Sequence, residues 1–368
     1  KINFHKSDLH TINVPDQMAK DLAQVFCCQL GDFPFKYLGV PLHFKKLRKE
    51  DLQPIIDRII KNIAGWLGRF LSYRGKLILL TTCIASIPTY LMSIVKFPKW
   101  AIDMITSQMS HFFWGNVGDN HKYHLASWGL ISRRKEYGGL GVPNLRDFNM
   151  ALLASWGRRF FDDRVSDWKK ILAYKYNVDN PNLFSTRTTS VSPFMKSLAW
   201  ALTATKNFYR WIPGDGKNIA FWHDIWVGDC SLKTVFWDLY SICQQQESTL
   251  AQVWVDGELR LTFRRCVSDD TLARWEELTE IAKTICLSDS PDQPLWMLDS
   301  SNKYSVKSFY KFINFGGIPS VIKDDIWKIK VPPNIHVFLW LIVHNKSLTR
   351  DNLAKLQHVE DLTCVFLL

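Results

Sequence analysis

The sequence predicts a mostly helical α+β protein, and three observations carry that expectation. Leu52, Ile55, Ile56, Ile59, Ile60, Ile63, Leu67 and Phe70 recur at helical spacing and share one face. Strand-forming residues come in short runs broken by Gly and Pro, as in Phe35–Leu42. Hydrophobic residues make up 47% of the 368 positions, enough for a folded core.

Taken in order, the partly alternating run Lys1–Leu9 reads as a strand. Pro15–Leu30 reads as a helix on the spacing of Met18, Leu22, Val25 and Phe26. Gly31-Asp32-Phe33-Pro34 is a turn, and Phe35–Leu42 is a strand segment in which Gly39 permits a bulge and Pro41 favours an edge. After the basic run at 45–49 comes the Leu52–Phe70 helix, then a second over Gly75–Ser86 stopped by Pro88, then a third over Trp100–Trp114 entered after Pro98. Tyr137–Pro143 is a Gly-rich loop, and Asn149–Phe161 is a further apolar helix. Pro, Ser and Thr cluster through Asn180–Pro193, which marks a linker. A Trp-rich stretch follows from Trp211 to Trp226, then mixed short elements. Ser301–Phe312 and Ile326–Asn345 read as helical in part, the second interrupted by Pro332-Pro333.

A chain of this length suggests roughly two or three domains at ~100–200 residues each. Its net charge of +11 is unevenly spread. Residues 1–200 hold 28 Lys/Arg against 15 Asp/Glu, residues 201–300 hold 9 against 15, and residues 301–368 hold 9 against 5. The basic field therefore lies in the first part, as expected for a surface facing phosphate, although a generic basic protein would also show it. The 16 Trp suit packed cores and also offer faces on which bases could stack.

No run of ~18 apolar residues predicts a membrane span; the longest apolar window, Leu77–Ile87, is broken by Thr81, Thr82 and Ser86. The start, Lys1-Ile2-Asn3-Phe4, has neither an initiator Met nor a signal-peptide pattern, so a longer reading frame is expected upstream. The eight Cys are scattered without a CxxC, so reduced thiols in an intracellular compartment are expected.

Several segments carry a resemblance in a shared order: Lys1–Ser7; Phe35-Lys36-Tyr37-Leu38-Gly39-Val40-Pro41-Leu42; Trp66 with Leu71-Ser72 and Arg74-Gly75-Lys76-Leu77; and Ile87-Pro88-Thr89-Tyr90. Phe113-Trp114-Gly115, Trp128, Gly138–Gly141 and Asn149–Leu153 continue it, followed by Trp211–Trp226 and Trp327–Pro333 through Phe338-Leu339-Trp340, His344-Asn345 and Asn352-Leu353. Together they resemble the C-terminal half of plant LINE-type (non-LTR retrotransposon) reverse transcriptases over nearly the whole chain. The resemblance implies the end of the palm over 1–44, with a late palm motif and a primer-grip hairpin. It further implies a helical thumb over 45–178, a linker and Trp-rich connecting region over 179–300, and a truncated zinc-binding domain over 301–368. The fold class becomes α+β, mostly α, with a residual palm-edge β hairpin.

The same resemblance implies an RNA/DNA primer–template duplex as partner and a nuclear location. Lys36, Tyr37 and Gly39 would grip the primer, since a Gly lets backbone approach a sugar–phosphate chain closely; an edge hairpin packed on a core is the plainer reading. Arg69, Arg74 and Lys76 flank the junction of the first two thumb helices, where cations can pair with phosphates. Lys45, Lys46, Arg48 and Lys49 are expected to be a solvated face.

No catalytic residue is assigned. Phe160-Phe161-Asp162-Asp163 spells the aromatic-x-Asp-Asp signature of polymerase centres that bind Mg²⁺, but it follows a helix and lies downstream of the motifs it should precede. The parent polymerase would use Mg²⁺; this chain alone is expected to be inactive. Zinc needs about four Cys/His ligands. The resemblance calls for Cys at 364 and 367, yet Leu stands at 367, so the zinc site is expected to be lost. Gly138–Gly141 and Gly214–Lys217 are turns rather than phosphate loops, and His223-Asp224 lacks a nucleophile. A decayed remnant without function and a domesticated interaction module remain open alternatives.

Overall fold

The structure is a computed structural model, and it describes residues 7–37, 40–42, 48–66, 70–115, 123–162, 166–176, 191–264, 269–315 and 325–354. The class is mostly helical α+β with small two-stranded sheets. Strands β1 (Asp8–Leu9) and β2 (Gln29–Leu30) pair in parallel around helix α1 (Asp16–Val25). The expected Pro15–Leu30 helix is therefore too long: Cys27 takes a left-handed φ of 50° and Gln29 leaves to pair with Asp8. Strands β3 (Phe35–Tyr37) and β4 (Val40–Leu42) form an antiparallel hairpin in which Lys36 faces Pro41 and Tyr37 faces Val40.

Helix α2 (Lys49–Gly65) buries Leu52, Ile56 and Ile59 and half-buries Ile55 and Ile63, as the spacing predicts; Ile60 lies off that face at 38% exposed. Helix α3 (Tyr73–Leu79) is capped by Ser72, whose Oγ accepts from the Gly75 N–H at 3.2 Å. It widens into a π turn over Leu80–Ile84 instead of running regularly to Ser86. The helical run ends ahead of Pro88, and the Pro88 carbonyl accepts from Met92 N–H to start α4 (Thr89–Met92). Helix α5 (Lys99–Trp114) ends at Gly115 in a left-handed conformation, φ 78°, which glycine adopts without steric cost.

Helix α6 (Trp128–Ile131) leads to a 3₁₀ turn at Lys135–Tyr137. There Gly138 and Gly141 both have φ 77°, and a Cβ at Gly139 would collide with the Arg133 carbonyl. Helix α7 (Leu145–Asp162) follows, then α8 (Asp167–Tyr176) and α9 (Pro193–Thr205). The expected linker at 180–193 lies mostly outside the described residues, with Pro193 opening α9.

Strand β5 (Tyr209–Ile212) pairs with the distant β8 (Gln293–Trp296), Tyr209 opposite Trp296. Between them lie α10 (Leu232–Val235), α11 (Trp237–Ile242), α12 (Leu250–Val253), the short hairpin β6 (Trp254–Val255) and β7 (Glu258–Leu259), and α13 (Asp269–Lys283). Helix α14 (Val306–Ile313) packs on α7. Helix α15 (Pro333–Val343) starts at the Pro pair that was expected to interrupt it, because proline is tolerated in a first turn; α16 (Arg350–Ala354) follows.

The largest core joins Val40 of the hairpin, α2, α3, α5 and the Gly-rich loop, and it takes in Trp340 and Leu341 of α15. Helix α15 packs on α3, and the Trp340 indole N–H donates to the Gly138 carbonyl at 2.8 Å. A second core gathers Trp211, Phe221, Trp222 and Trp226 with α11–α13. Most of the Trp-rich segment thus serves packing, with Trp222 fully buried; Trp237, at 59% exposed, is an exception.

Asn149 ties these pieces locally. It is 1% exposed. Its amide nitrogen donates to the carbonyls of Met92 at 2.6 Å and Val95 at 2.9 Å, and its Oδ1 accepts from Phe97 N–H at 2.8 Å. Among the described residues no helix is long and apolar enough to cross a membrane.

Candidate nucleic-acid interface

Of the primer-grip residues, Tyr37 is 61% exposed at the end of β3, beside a hairpin partner, Val40, that is buried in the main core. The hairpin is therefore anchored on one residue and presents an aromatic ring at another. Lys36 is the middle residue of β3. Gly39 lies outside the described residues, as do Arg69 and the basic positions 43–47.

Arg74 sits half-buried in the first turn of α3. Lys76, two residues further on, is 6% exposed, and its ammonium reaches the Phe113 carbonyl at 3.4 Å and lies near the rings of Tyr73 and Phe112. Its charge points into the body of the protein. The structure therefore brings Arg74 and Lys76 onto one helix with different surroundings. Arg48 caps α2 through its backbone N–H, which donates to Asp51 Oδ2 at 2.6 Å, and Lys49 is exposed.

The structure adds Lys135, which the sequence reading passed over because it sits in a turn with no motif of its own. Its Nζ lies 4.7 Å from the centroid of the Trp327 ring. Burial first, and the nearby charge of Arg74 second, hold its pKa below the ordinary lysine range. A comparable arrangement places the Lys96 ammonium 4.0 Å from the Trp200 ring; burial and then Arg146 lower that pKa too.

Phe160 is buried and Asp162 ends helix α7, so this stretch is the close of a helix and not a turn between two strands; Asp163 lies outside the described residues. His336 Nε2 is engaged with the Ile329 carbonyl at 2.9 Å, and His344 Nδ1 with the Trp340 carbonyl at 2.9 Å. Among the described residues no group of three or more His, Cys, Asp or Glu could hold a metal ion, and Cys364 and His358 lie outside them. The described residues do not fit a zinc centre.

Comparison with known proteins gives the class first: residues 304–367 match the family described as zinc-binding in reverse transcriptase. Two Arabidopsis thaliana proteins extend the likeness. The first, named "Putative ribonuclease H protein", is 26% identical over 320 residues, covering 85% of this chain and 51% of its own length. The second, an uncharacterized mitochondrial protein, is 26% identical over 145 residues, 39% of this chain and 94% of its own length. The chain thus resembles reverse-transcriptase-like polypeptides of plant retroelements, and it spans about half the length of the first of these relatives.

Proposed function

We propose that this chain holds the template–primer duplex for a LINE-type (non-LTR) RNA-directed DNA polymerase. In that reading residues 1–44 are the end of the palm, 45–178 the helical thumb, 179–300 the connecting region and 301–368 a zinc-binding-like tail without a working zinc site. The polymerase chemistry, with its Mg²⁺, belongs to carboxylates other than Asp162 and Asp163, and this chain alone does not extend a primer. The nucleus is the expected site of action.

The observation that carries the reading is the pairing of a basic surface with an anchored hairpin. Residues 1–200 hold an excess of 13 positive charges, and β3–β4 fixes Val40 in the core while exposing Tyr37. Cations on such a surface contact duplex phosphates and set position without reading sequence. Lys36, Tyr37 and Gly39 would grip the primer strand, Arg69 and Arg74 would contact phosphate, and Lys76, turned inward, would position α3.

The test is a titration of an RNA–DNA duplex with the purified chain across a range of salt. A steep fall of affinity with rising salt supports the reading. No binding at low salt refutes it and leaves the remnant reading, which draws on Leu367 standing where a zinc-ligating Cys is expected.

A further inference from the structure

Helix α15 carries apolar residues on two sides, and the core uses only one. Val337, Trp340 and Leu341 are 1%, 0% and 6% exposed, and the Trp340 indole N–H fastens the helix to the Gly138 carbonyl at 2.8 Å. Ile335, Phe338 and Ile342 stand at i, i+3 and i+7 on the other side, at 41%, 57% and 45% exposed. The buried side is enough to seat the helix, so the second stripe is not explained by folding. A contiguous apolar stripe facing solvent with a polar rim marks a contact surface.

The rim has one sign of charge. From Ile326 through Arg350 the sequence has no Asp or Glu. Lys330 stands before the helix and Lys346 after it, both exposed. Asp325, immediately ahead of that stretch, is paired with Lys328 at 2.9 Å. Helix α3, on which α15 packs, adds Arg74 and Lys76 and no acid.

That charge selects the occupant. Two copies of this face would meet as like charges: an antiparallel pairing of two α15 helices sets Lys330 against Lys346, and a parallel pairing sets each lysine against itself. A duplex offers phosphate to the lysines but little apolar surface to the stripe. An amphipathic helix with acids beside its apolar side meets both needs.

We propose that the Ile335–Phe338–Ile342 face of α15 docks an acidic amphipathic helix of a partner protein. Phe338 is the central anchor, and Lys330 and Lys346 form the charged rim. Because α15 is held from behind by the core, the face is preorganised and docking orders little. The docking face is independent of duplex holding, which uses the β3–β4 hairpin and the start of α3.

The test uses the full chain and two fluorescein-labelled synthetic helical peptides. Both have Leu at i, i+3, i+4 and i+7; one has Glu at its flanking positions and the other Lys. Binding is read by fluorescence anisotropy across salt, and melting curves confirm that each variant folds. The wild type is expected to bind the Glu peptide, more weakly as salt rises, and not the Lys peptide. Phe338→Asp should weaken that binding about thirtyfold, as for loss of an interface anchor. Should Phe338→Asp fail to fold, Phe338→Ala takes its place. The double variant Lys330→Glu with Lys346→Glu should reverse the preference and take the Lys peptide. No binding of the Glu peptide by the wild type, or equal binding of both peptides, overturns the proposal. It is overturned equally by a dimer in sedimentation that Phe338→Asp dissociates, which would make a second copy the occupant. Phosphatidylserine vesicles that bind the wild type and not Phe338→Asp, with no binding of the Glu peptide, would make it a membrane surface.

Discussion

Replacing Asn149 should destabilise the helical body through a single, traceable loss. The side chain is 1% exposed and satisfies three backbone groups of the 92–97 loop: it donates to the Met92 and Val95 carbonyls and accepts from Phe97 N–H. That set of partners also fixes which end of the amide is nitrogen, since only an NH₂ can serve two carbonyls. Asn149→Ala removes three hydrogen bonds worth about 1 kcal/mol each and strands the buried Phe97 N–H, which costs a further ~1–3 kcal/mol. The carbonyls suffer less, because each has a second lone pair. The expected total is about 4–6 kcal/mol, read as a lower urea midpoint in Trp fluorescence unfolding of the full chain.

Asn149→Asp should behave differently with pH. Its Oδ1 can still accept from Phe97, but the second carboxylate oxygen would face two carbonyl oxygens. The folded state therefore favours the protonated acid, and the folded pKa rises above the ordinary carboxylate value of ~3.9. A raised folded pKa means stability that is fully present below the ordinary pKa and lost as pH rises through the folded one. The variant should be nearest to wild type in acid and weakest at neutral pH. A cost below about 1 kcal/mol for Asn149→Ala, or no pH dependence of the difference for Asn149→Asp, would refute the argument.

Asp292 plays a similar part in the Trp-rich core. It is buried, and its oxygens accept from the N–H groups of Gly214, Gly216 and Asn218 at 2.8, 2.9 and 2.8 Å. Asp292→Ala should cost roughly 4 kcal/mol in urea unfolding, and Asp292→Asn should cost less because one acceptor oxygen remains. Gly139→Ala should collapse the yield of soluble folded protein, since the new methyl would meet the Arg133 carbonyl, and Lys135 would lose its place over Trp327 with it. The pKa of His223 is lowered, chiefly by burial and against the pull of Glu247. It therefore supports stability above the ordinary imidazole value of ~6.5 and withdraws that support as pH falls toward its depressed pKa. His223→Gln should flatten that acid-side decline in thermal melts; an unchanged slope would contradict the assignment.

Local pattern made some of this legible and geometry hid the rest. The α2 face could be read because six apolar positions repeat at helical spacing, and burial of Leu52, Ile56 and Ile59 follows from it. The end of α1 could not, because the β1–β2 pairing that ends it is a contact between residues about twenty apart. Proline misled once. Pro332-Pro333 was expected to interrupt a helix, yet the pair stands where a helix begins and a missing N–H is not needed. The Asp292 clamp and the Lys135–Trp327 contact each join residues remote in sequence, and no spacing rule reaches them. Arg74 stands in a motif, whereas a lone lysine in a turn, such as Lys135, carries no periodic signal.

The division of charge bears on how a duplex would lie. The basic excess belongs to residues 1–200, whose helices α2, α3 and α5 share the main core, whereas residues 201–300 carry six more acids than bases and build the second core around Trp222. In the proposed duplex-holding reading, a polyanion would be drawn to residues 1–200 and repelled by residues 201–300. Described residues of the tail join the main core. Trp340 and Leu341 enter the main core, and Trp327 packs against it. The segment that matches the zinc-binding family is therefore fastened to the basic body by side-chain packing and by the Trp340–Gly138 hydrogen bond.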